Sequence, residues 1–258
     1  MKRMLVVVLS LVLIGPMLVL ATGQANLSSD WRTADRSSQG IAPLPSEEAR
    51  AVIQVYAARA YHWRGIFAVH PWIAVKPAGA SEYVVYQVLG WQKRRGLPVV
   101  VGRTDLPDRA WYDNAPDLLL DIRGAEAARL IPKVSAAIAS YPYENDYTLW
   151  PGPNSNSFVA HVAREVPDLR LELPTTAIGK DYLGKGKFFA RAPSGTGWQM
   201  SLYGLFGLTL AREEGVEFNL LTANFGIDVL PLAIKLPGIG RIGFPQALDV
   251  SSSNTGGH

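Results

Sequence analysis

The sequence predicts an α+β protein in which helices pack on a largely antiparallel sheet and a glycine-rich β-strand extension follows. Three observations favour this class. Apolar residues recur at helical spacing in residues 46–60, 125–141 and 154–166. Short β-branched and aromatic runs, separated by turn residues, fill much of the stretch between residues 66 and 122. Beyond residue 170 the apolar segments are short and are bounded by Gly or Pro.

The N-terminus predicts export. Lys2 and Arg3 precede an apolar run from Met4 to Ala21, and small residues follow as far as Ala25. This run is slightly long for a cleaved signal and slightly short for a membrane span, so residues 1–25 are predicted to be either a signal peptide or a membrane anchor. In both cases the basic end stays inside the cell. The protein is therefore predicted to be periplasmic, or held in the inner membrane by residues 4–21 and facing the periplasm.

Residues 26–45 are polar and rich in Ser, Gly and Pro, which predicts a flexible spacer. A core over residues 46–170 follows. It is predicted to begin with a helix capped by Ser46, and Pro132 is expected to kink or split a second helix. Four strands are predicted between these helices, with a hairpin across residues 77–81 joining the first two: residues 66–75, 83–89, 97–103 and 118–122.

Residues 171–250 are predicted to form a β-rich extension packed on the core, and residues 251–258 a disordered tail. The candidate strands of the extension are residues 170–174, 187–191, 197–210, 216–222 and 226–236.

Composition excludes several classes of function. Without residues 1–25 the chain has 23 basic and 22 acidic side chains, so its formal charge falls from +3 to +1. Lys93-Arg94-Arg95 is a single short basic patch before Gly96, so nucleic-acid binding has no support. The chain has no cysteine, which excludes disulfides, thiolate metal sites and a cysteine nucleophile.

No cofactor or metal is predicted. Residues 238–243 satisfy a dinucleotide-binding glycine pattern, but Pro237 precedes them and Phe244-Pro245 would end any helix. Residues 179–185 resemble a phosphate-binding loop, yet Gly186 stands where a hydroxyl residue would bind the metal ion. Both segments are interpreted as turns.

The start of the helix at residues 154–166 is the strongest candidate site. Asn154, Ser155, Asn156 and Ser157 precede an apolar stripe, and about 100° per residue places Ser155 on the side of that stripe. A helix N-terminus offers free N–H groups and a positive dipole end to a nucleophile and its oxyanion. The alternative is that Asn154 simply caps the helix.

His70 is the candidate base. It precedes an extended run and, by period-two alternation, shares a face with Trp72 and Ala74. Such a rigid, partly buried position suits a general base, although a hydrogen-bonded core histidine is the alternative. Glu82 would lie far from His70 in a simple hairpin, while Tyr86 or Gln87 would lie closer. No orienting acid is assigned.

A histidine at a strand start, followed much later by Asn154-Ser155-Asn156-Ser157-Phe158, resembles the circularly permuted papain-like fold. That group includes lecithin:retinol acyltransferase-like proteins and the PPPDE peptidases, which have Asn-Cys-Asn-Thr-Phe at this position. The resemblance covers residues 60–167 and departs from the pattern at Ser155. The cysteine that the pattern calls for would form a thiolate, whereas a serine must lose its proton to a base during attack.

A second resemblance spans most of the chain. It rests on Trp150 to Phe158, Ser194 to Trp198, Glu213 to Gly215, Asn219 and Leu236 to Gly243, which are similar to an uncharacterised bacterial family, domain of unknown function 3750.

Two main hypotheses follow. The first is an amide or ester hydrolase, or an acyltransferase, acting on cell-envelope peptides or lipids. In it Ser155 attacks, His70 is the base, and N–H groups near Asn156 stabilise the oxyanion. The second is a catalytically inactive module in which the same cleft binds a peptidoglycan or lipid fragment. A third alternative is a structural envelope protein whose glycine-rich extension packs on a neighbour.

Overall fold

The computed structural model describes residues 2–244, and the predicted tail at residues 251–258 lies outside this range. The fold is α+β, with two antiparallel sheets and a strand-rich C-terminal region. The helices are α1 (Lys2–Ala21), α2 (Ala125–Ala139) and α3 (Ser155–Glu165). The first sheet contains β1 (Val52–Arg59), β2 (Val69–Lys76), β3 (Val84–Val88), β4 (Val100–Thr104) and β5 (Asp117–Arg123). The second contains β6 (Phe189–Arg191), β7 (Gly197–Leu202), β8 (Phe206–Ala211), β9 (Gly215–Leu220), β10 (Ala223–Val229), β11 (Leu232–Leu236) and β12 (Gly240–Gly243).

The five-stranded sheet has the order β4-β3-β2-β1-β5 and carries α2 and α3 on one face. Ile73 and Val75 of β2 pack on that side in one cluster with Phe158 and Val159 of α3. The opposite face holds a second cluster that includes Trp72, Tyr56 and Trp111. The central strands therefore have apolar side chains on both faces.

The helix predicted at residues 46–60 is wrong, because this segment contains β1. Val52 and Tyr56 face one apolar cluster, and Val55 faces the other. A strand buried on both faces has a nearly continuous apolar run, which can be mistaken for helical spacing. Of the kink or split predicted at Pro132, the split does not occur, since α2 continues through this residue.

Residues 29–42, within the predicted flexible spacer, lie along the core and bind the loop before β5. Asp108 accepts hydrogen bonds from the Ser38 hydroxyl at 2.8 Å and from the backbone N–H of Ala42 at 3.1 Å. Tyr61 donates to the carbonyl of Ser29 at 2.8 Å. This segment is therefore held to the core by side chains that are distant in sequence.

In the seven-stranded sheet, strands β6 to β12 lie in sequence order and all pair antiparallel. The predicted segments 197–210 and 226–236 each divide into two strands at a turn, and β12 was not predicted. Residues 170–174 form no strand, although Leu171 and Leu173 are buried.

The face of this sheet that packs against residues 164–182 is polar and buried. Lys235 Nζ contacts Asp228 at 2.7 Å and Glu217 at 3.1 Å. Glu217 also pairs with Lys180. We call this the inner face.

Helix α1 lies beside the β11–β12 turn. Gly15 touches the carbonyl of Pro237, and Gly238 touches the ring of Pro16, so a Cβ atom at either glycine would clash. Within residues 2–244, no helix is both long and apolar enough to cross a membrane.

Candidate functional site

The N-terminus of α3 is held by a capping box. The Asn154 side-chain oxygen accepts hydrogen bonds from the N–H groups of Asn156 at 3.0 Å and Ser157 at 3.1 Å. The Ser157 hydroxyl accepts the N–H of Asn154 at 2.8 Å. The Asn154 amide nitrogen donates to the carbonyls of Leu149 and Ile178 at 3.1 and 3.0 Å. Asn154 therefore caps the helix and also fixes it to two loops.

Ser155 is the first residue of α3 and is 7% exposed. Its hydroxyl forms no hydrogen bond with any residue in the described part of the chain. Since the helix dipole is positive at this end, the hydroxyl is placed where a ligand carbonyl or a developing negative charge would be favoured.

The backbone N–H of Asn156 is not free as predicted, because it donates a hydrogen bond to the side-chain oxygen of Asn154. Its side-chain amide nitrogen instead donates to the carbonyls of Val69 at 3.2 Å and Ile178 at 2.8 Å. Its side-chain oxygen is buried and has no hydrogen-bond partner. Asn156 thus joins the start of α3 to the start of β2, next to His70.

His70 lies on β2 and is 8% exposed. Its Nε2 atom is 3.2 Å from Gln87 Oε1, and its ring stacks on Trp111 with centroids 3.9 Å apart. Burial is the main cause that lowers the pKa of the imidazole; the Gln87 hydrogen bond opposes it, Arg109 adds to it, and the net pKa is about 4. His70 is therefore neutral at pH 7.

The structure brings the start of α3 and the start of β2 together but does not join their functional groups. No hydrogen bond links Ser155 to His70 among residues 2–244. The His70 ring contacts Trp111, which belongs to the cluster on one face of the sheet, whereas Phe158 of α3 packs in the cluster on the other face. The predicted Ser–His pair is therefore not formed as a hydrogen-bonded dyad.

Trp111 is a site residue that the sequence analysis missed. Trp91 packs on it with centroids 6.1 Å apart, and Trp91 is 43% exposed. His70, Trp111 and Trp91, which we call the aromatic stack, lead from the buried imidazole to the surface. Trp111 lies in a loop, where no periodicity could reveal its contacts. Gln87, in contrast, was already named as a near neighbour.

Residues 2–244 contain no group of three or more His, Asp or Glu side chains arranged to hold a metal ion.

We predict that Asn154→Ala lowers the free energy of unfolding by about 1–2 kcal/mol, because it removes the helix cap and leaves two loop carbonyls without their donor. Urea unfolding followed by circular dichroism measures the change. Ser81→Ala, in an exposed turn, is the control and should alter stability by no more than about 0.5 kcal/mol. Equal effects of the two substitutions would contradict the assigned role of Asn154.

Comparison with known protein families gives a match over about half of the chain. A family model described as "Protein of unknown function (DUF3750)" matches residues 50–182, which include β1 to β5, α2, α3 and the loop that packs on the inner face. No curated protein and no solved structure matches the chain.

Proposed function

The chain belongs to the DUF3750 family, and from the geometry of the α3 N-terminus we propose that it is a cell-envelope binding module that holds its ligand without cleaving it. In this proposal the core has the layout of the permuted papain-like proteins, with His70 at the start of a strand and Ser155 at the start of a helix. The ligand is a peptidoglycan or lipid fragment that presents an amide or ester carbonyl. The protein acts in the periplasm or on the periplasmic side of the inner membrane.

The observation that carries this proposal is the state of His70. Serine must transfer its proton to a base during attack, and the base has to lie within hydrogen-bond reach. The His70 imidazole contacts Gln87 instead, and a pKa of about 4 makes it a weak base. A neutral amide cannot stabilise an imidazolium as the carboxylate of a catalytic triad does.

The oxyanion site supports the same conclusion. A tetrahedral intermediate needs N–H donors that are free to point at its oxygen. Asn154 already accepts the N–H groups of Asn156 and Ser157. The α3 N-terminus is thus stabilised by its own cap.

The same features suit binding. The unpaired Ser155 hydroxyl can donate a hydrogen bond to a ligand carbonyl near the positive end of the α3 dipole. Trp91, at the exposed end of the aromatic stack, offers a flat apolar surface to a sugar ring or an acyl chain. Each group thus offers one recognition contact, Ser155 at the start of α3 and Trp91 at the surface end of the aromatic stack.

A covalent probe tests the absence of catalysis. The full chain is treated with a fluorophosphonate at neutral pH, and adducts are located by mass spectrometry, with Ser155→Ala as the matched control. We expect no adduct at Ser155, because no base is placed to remove its proton. In the same way, Ser155→Cys should react with iodoacetamide no faster than an ordinary thiol. A Ser155 adduct that His70→Gln abolishes would instead support the hydrolase.

Ligand binding is tested separately by tryptophan fluorescence with a soluble muropeptide and with a lysophospholipid. At least one should bind, and Trp91→Leu should weaken binding while Trp31→Leu, an exposed tryptophan in the segment before the core, should not. If neither ligand binds and no adduct forms, the structural role becomes the remaining explanation.

A further inference from the structure

In the second sheet the buried face is polar and the exposed face is apolar, which is the reverse of a sheet in an ordinary soluble protein. Successive side chains on a strand point to opposite faces of the sheet. In this sheet the residues that alternate with those of the inner face are apolar. We call this second surface the outer face. In strands β7 to β11 every one of its positions carries an uncharged, mostly large apolar side chain. Its most exposed members, between 53% and 69% accessible, include Phe189, Trp198, Phe218, Ile227, Val229 and Leu232.

The strand register makes this surface continuous. Trp198 pairs with Leu210, Leu210 with Val216, and Val216 with Ile227. The same row continues to Ile234 and Ile242. One apolar row therefore crosses six strands without a polar interruption.

The inner face explains why the apolar side is turned outward. Glu217, Lys235 and Asp228 alternate with outer-face residues, and their charges pair with one another in the interior. Gln199 and Asn219 bind Asp181 on the same side. Turning the sheet over would separate these buried charges from their partners.

The outer face is as large as the largest apolar patches that soluble monomers usually expose. The seven strands lie about 4.8 Å apart and average about five residues at about 3.4 Å each, which gives a face on the order of 600 Å² before side-chain relief is counted. The largest apolar patch on a typical monomer is about 300–600 Å². Val216, Phe218, Phe225, Ile227 and Ile234 also line a groove of about 240 Å³ across β9 to β11.

Helix α1 adds a second set of exposed apolar residues next to this sheet. It packs beside the β11–β12 turn through Gly15 and Pro16. Its exposed apolar residues are Leu13, Ile14, Met17, Leu18 and Leu20. Lys2 and Arg3 precede these residues in the sequence. The exposed cations of the sheet, at or near strand ends, are Lys187, Arg191 and Arg212. Apolar surface bordered by cations matches the acyl chains and anionic headgroups of a phospholipid layer.

We propose that the outer face and α1 together lie in one leaflet of a bilayer that contains anionic phospholipid. Acyl chains are favoured over a second copy of the chain because one fluid apolar phase covers both a sheet face and a neighbouring helix. Face-to-face packing of two sheets would cover only the sheets. Two aromatic residues, Trp198 and Phe189, lie near the sheet edge and beside Arg191. Aromatic residues are enriched in this way at membrane–water interfaces. The inference goes beyond the α3 site and does not depend on it.

The absence of native cysteine allows a direct test. Ile227→Cys, on the outer face, and Leu97→Cys, an exposed apolar position on the core, are each labelled with an environment-sensitive fluorophore in the full chain. The vesicles contain phosphatidylethanolamine and phosphatidylglycerol, with or without doxyl-labelled acyl chains. We expect the label at residue 227 to shift to the blue and to be quenched by doxyl chains, and the label at residue 97 to be unaffected.

Two other results would overturn the proposal. A label at residue 227 that stays unquenched while the protein is bound to vesicles would mean that α1 alone attaches the chain. A blue shift that depends on protein concentration and not on lipid, together with a dimer in light scattering, would identify a second copy as the occupant.

Vesicle flotation provides the second test. The double variant Phe218→Glu, Ile227→Glu should bind at least about tenfold more weakly than the wild type, because two large side chains leave the apolar phase and two charges replace them. Leu97→Glu, Leu106→Glu is the matched control and should float as the wild type does. Circular dichroism establishes that each variant is folded. A folded double variant that floats normally would contradict the proposal.

Discussion

Replacing Glu217 with alanine is expected to lower the free energy of unfolding by about 3–5 kcal/mol. Glu217 pairs with Lys180 and with Lys235, and all three side chains are only 2% exposed. Burial by itself lowers the pKa of each lysine, but the carboxylates around them outweigh it and raise both pKa values, with Glu217 the largest of these influences. Removing the Glu217 carboxylate leaves two buried ammonium groups whose positive charge the remaining carboxylates do not balance.

Urea unfolding of the full chain measures this change. Glu213→Ala is the matched control, because this neighbouring carboxylate lies in the β8–β9 turn outside the buried network, and it should cost no more than about 0.5 kcal/mol. Glu217→Gln keeps the side-chain volume, so a large loss in this variant as well would assign the effect to charge. A loss below about 1 kcal/mol in Glu217→Ala would show that the inner face does not depend on this network.

Acidification from pH 6.5 to pH 4 is expected to remove about 3 kcal/mol of stability through His70. The folded-state pKa of about 4 lies below the ordinary value of 6.5. The unfolded chain therefore binds a proton that the folded chain excludes across this window. The His70 contribution is complete above about pH 6.5 and falls as the pH drops toward 4.

The measurement is the difference in unfolding free energy between the wild type and His70→Gln, taken at several pH values. Burial raises the pKa values of Asp181 and Glu214, which act in the opposite sense, but both proteins contain them and they cancel in the difference. The advantage of the wild type should shrink as the pH falls. A difference that stays constant with pH would contradict the buried, neutral state assigned to His70.

Local signals in the sequence were sufficient to predict α3. Its first residue and its cap follow from Asn154 and from the apolar stripe, because capping depends on residues only three positions apart. The hairpin of β2 and β3 follows in the same way from a turn between two alternating runs. Gln87 came within reach of His70 as the hairpin register indicated.

Other features depend on contacts that no local pattern contains. β1 was predicted as a helix because burial on both faces removes the alternation of a strand. The short apolar segments that contain β7 to β11 were correctly predicted as β-structure, yet the alternation within these strands is the same whichever face points inward. Only the partners of Glu217 and Lys235 show that the polar face is the inner one. Trp111 reaches His70 from a loop, and its position is set by tertiary packing alone.

A histidine NMR titration tests most directly whether His70 and Ser155 act as a pair. The His70 signal of the full chain, assigned by its loss in His70→Gln, is followed from pH 3.5 to pH 8 in the wild type and in Ser155→Ala. We expect a midpoint near 4 in both proteins. A midpoint near neutrality that shifts when the Ser155 hydroxyl is removed would show that the two side chains meet, and would restore the catalytic interpretation.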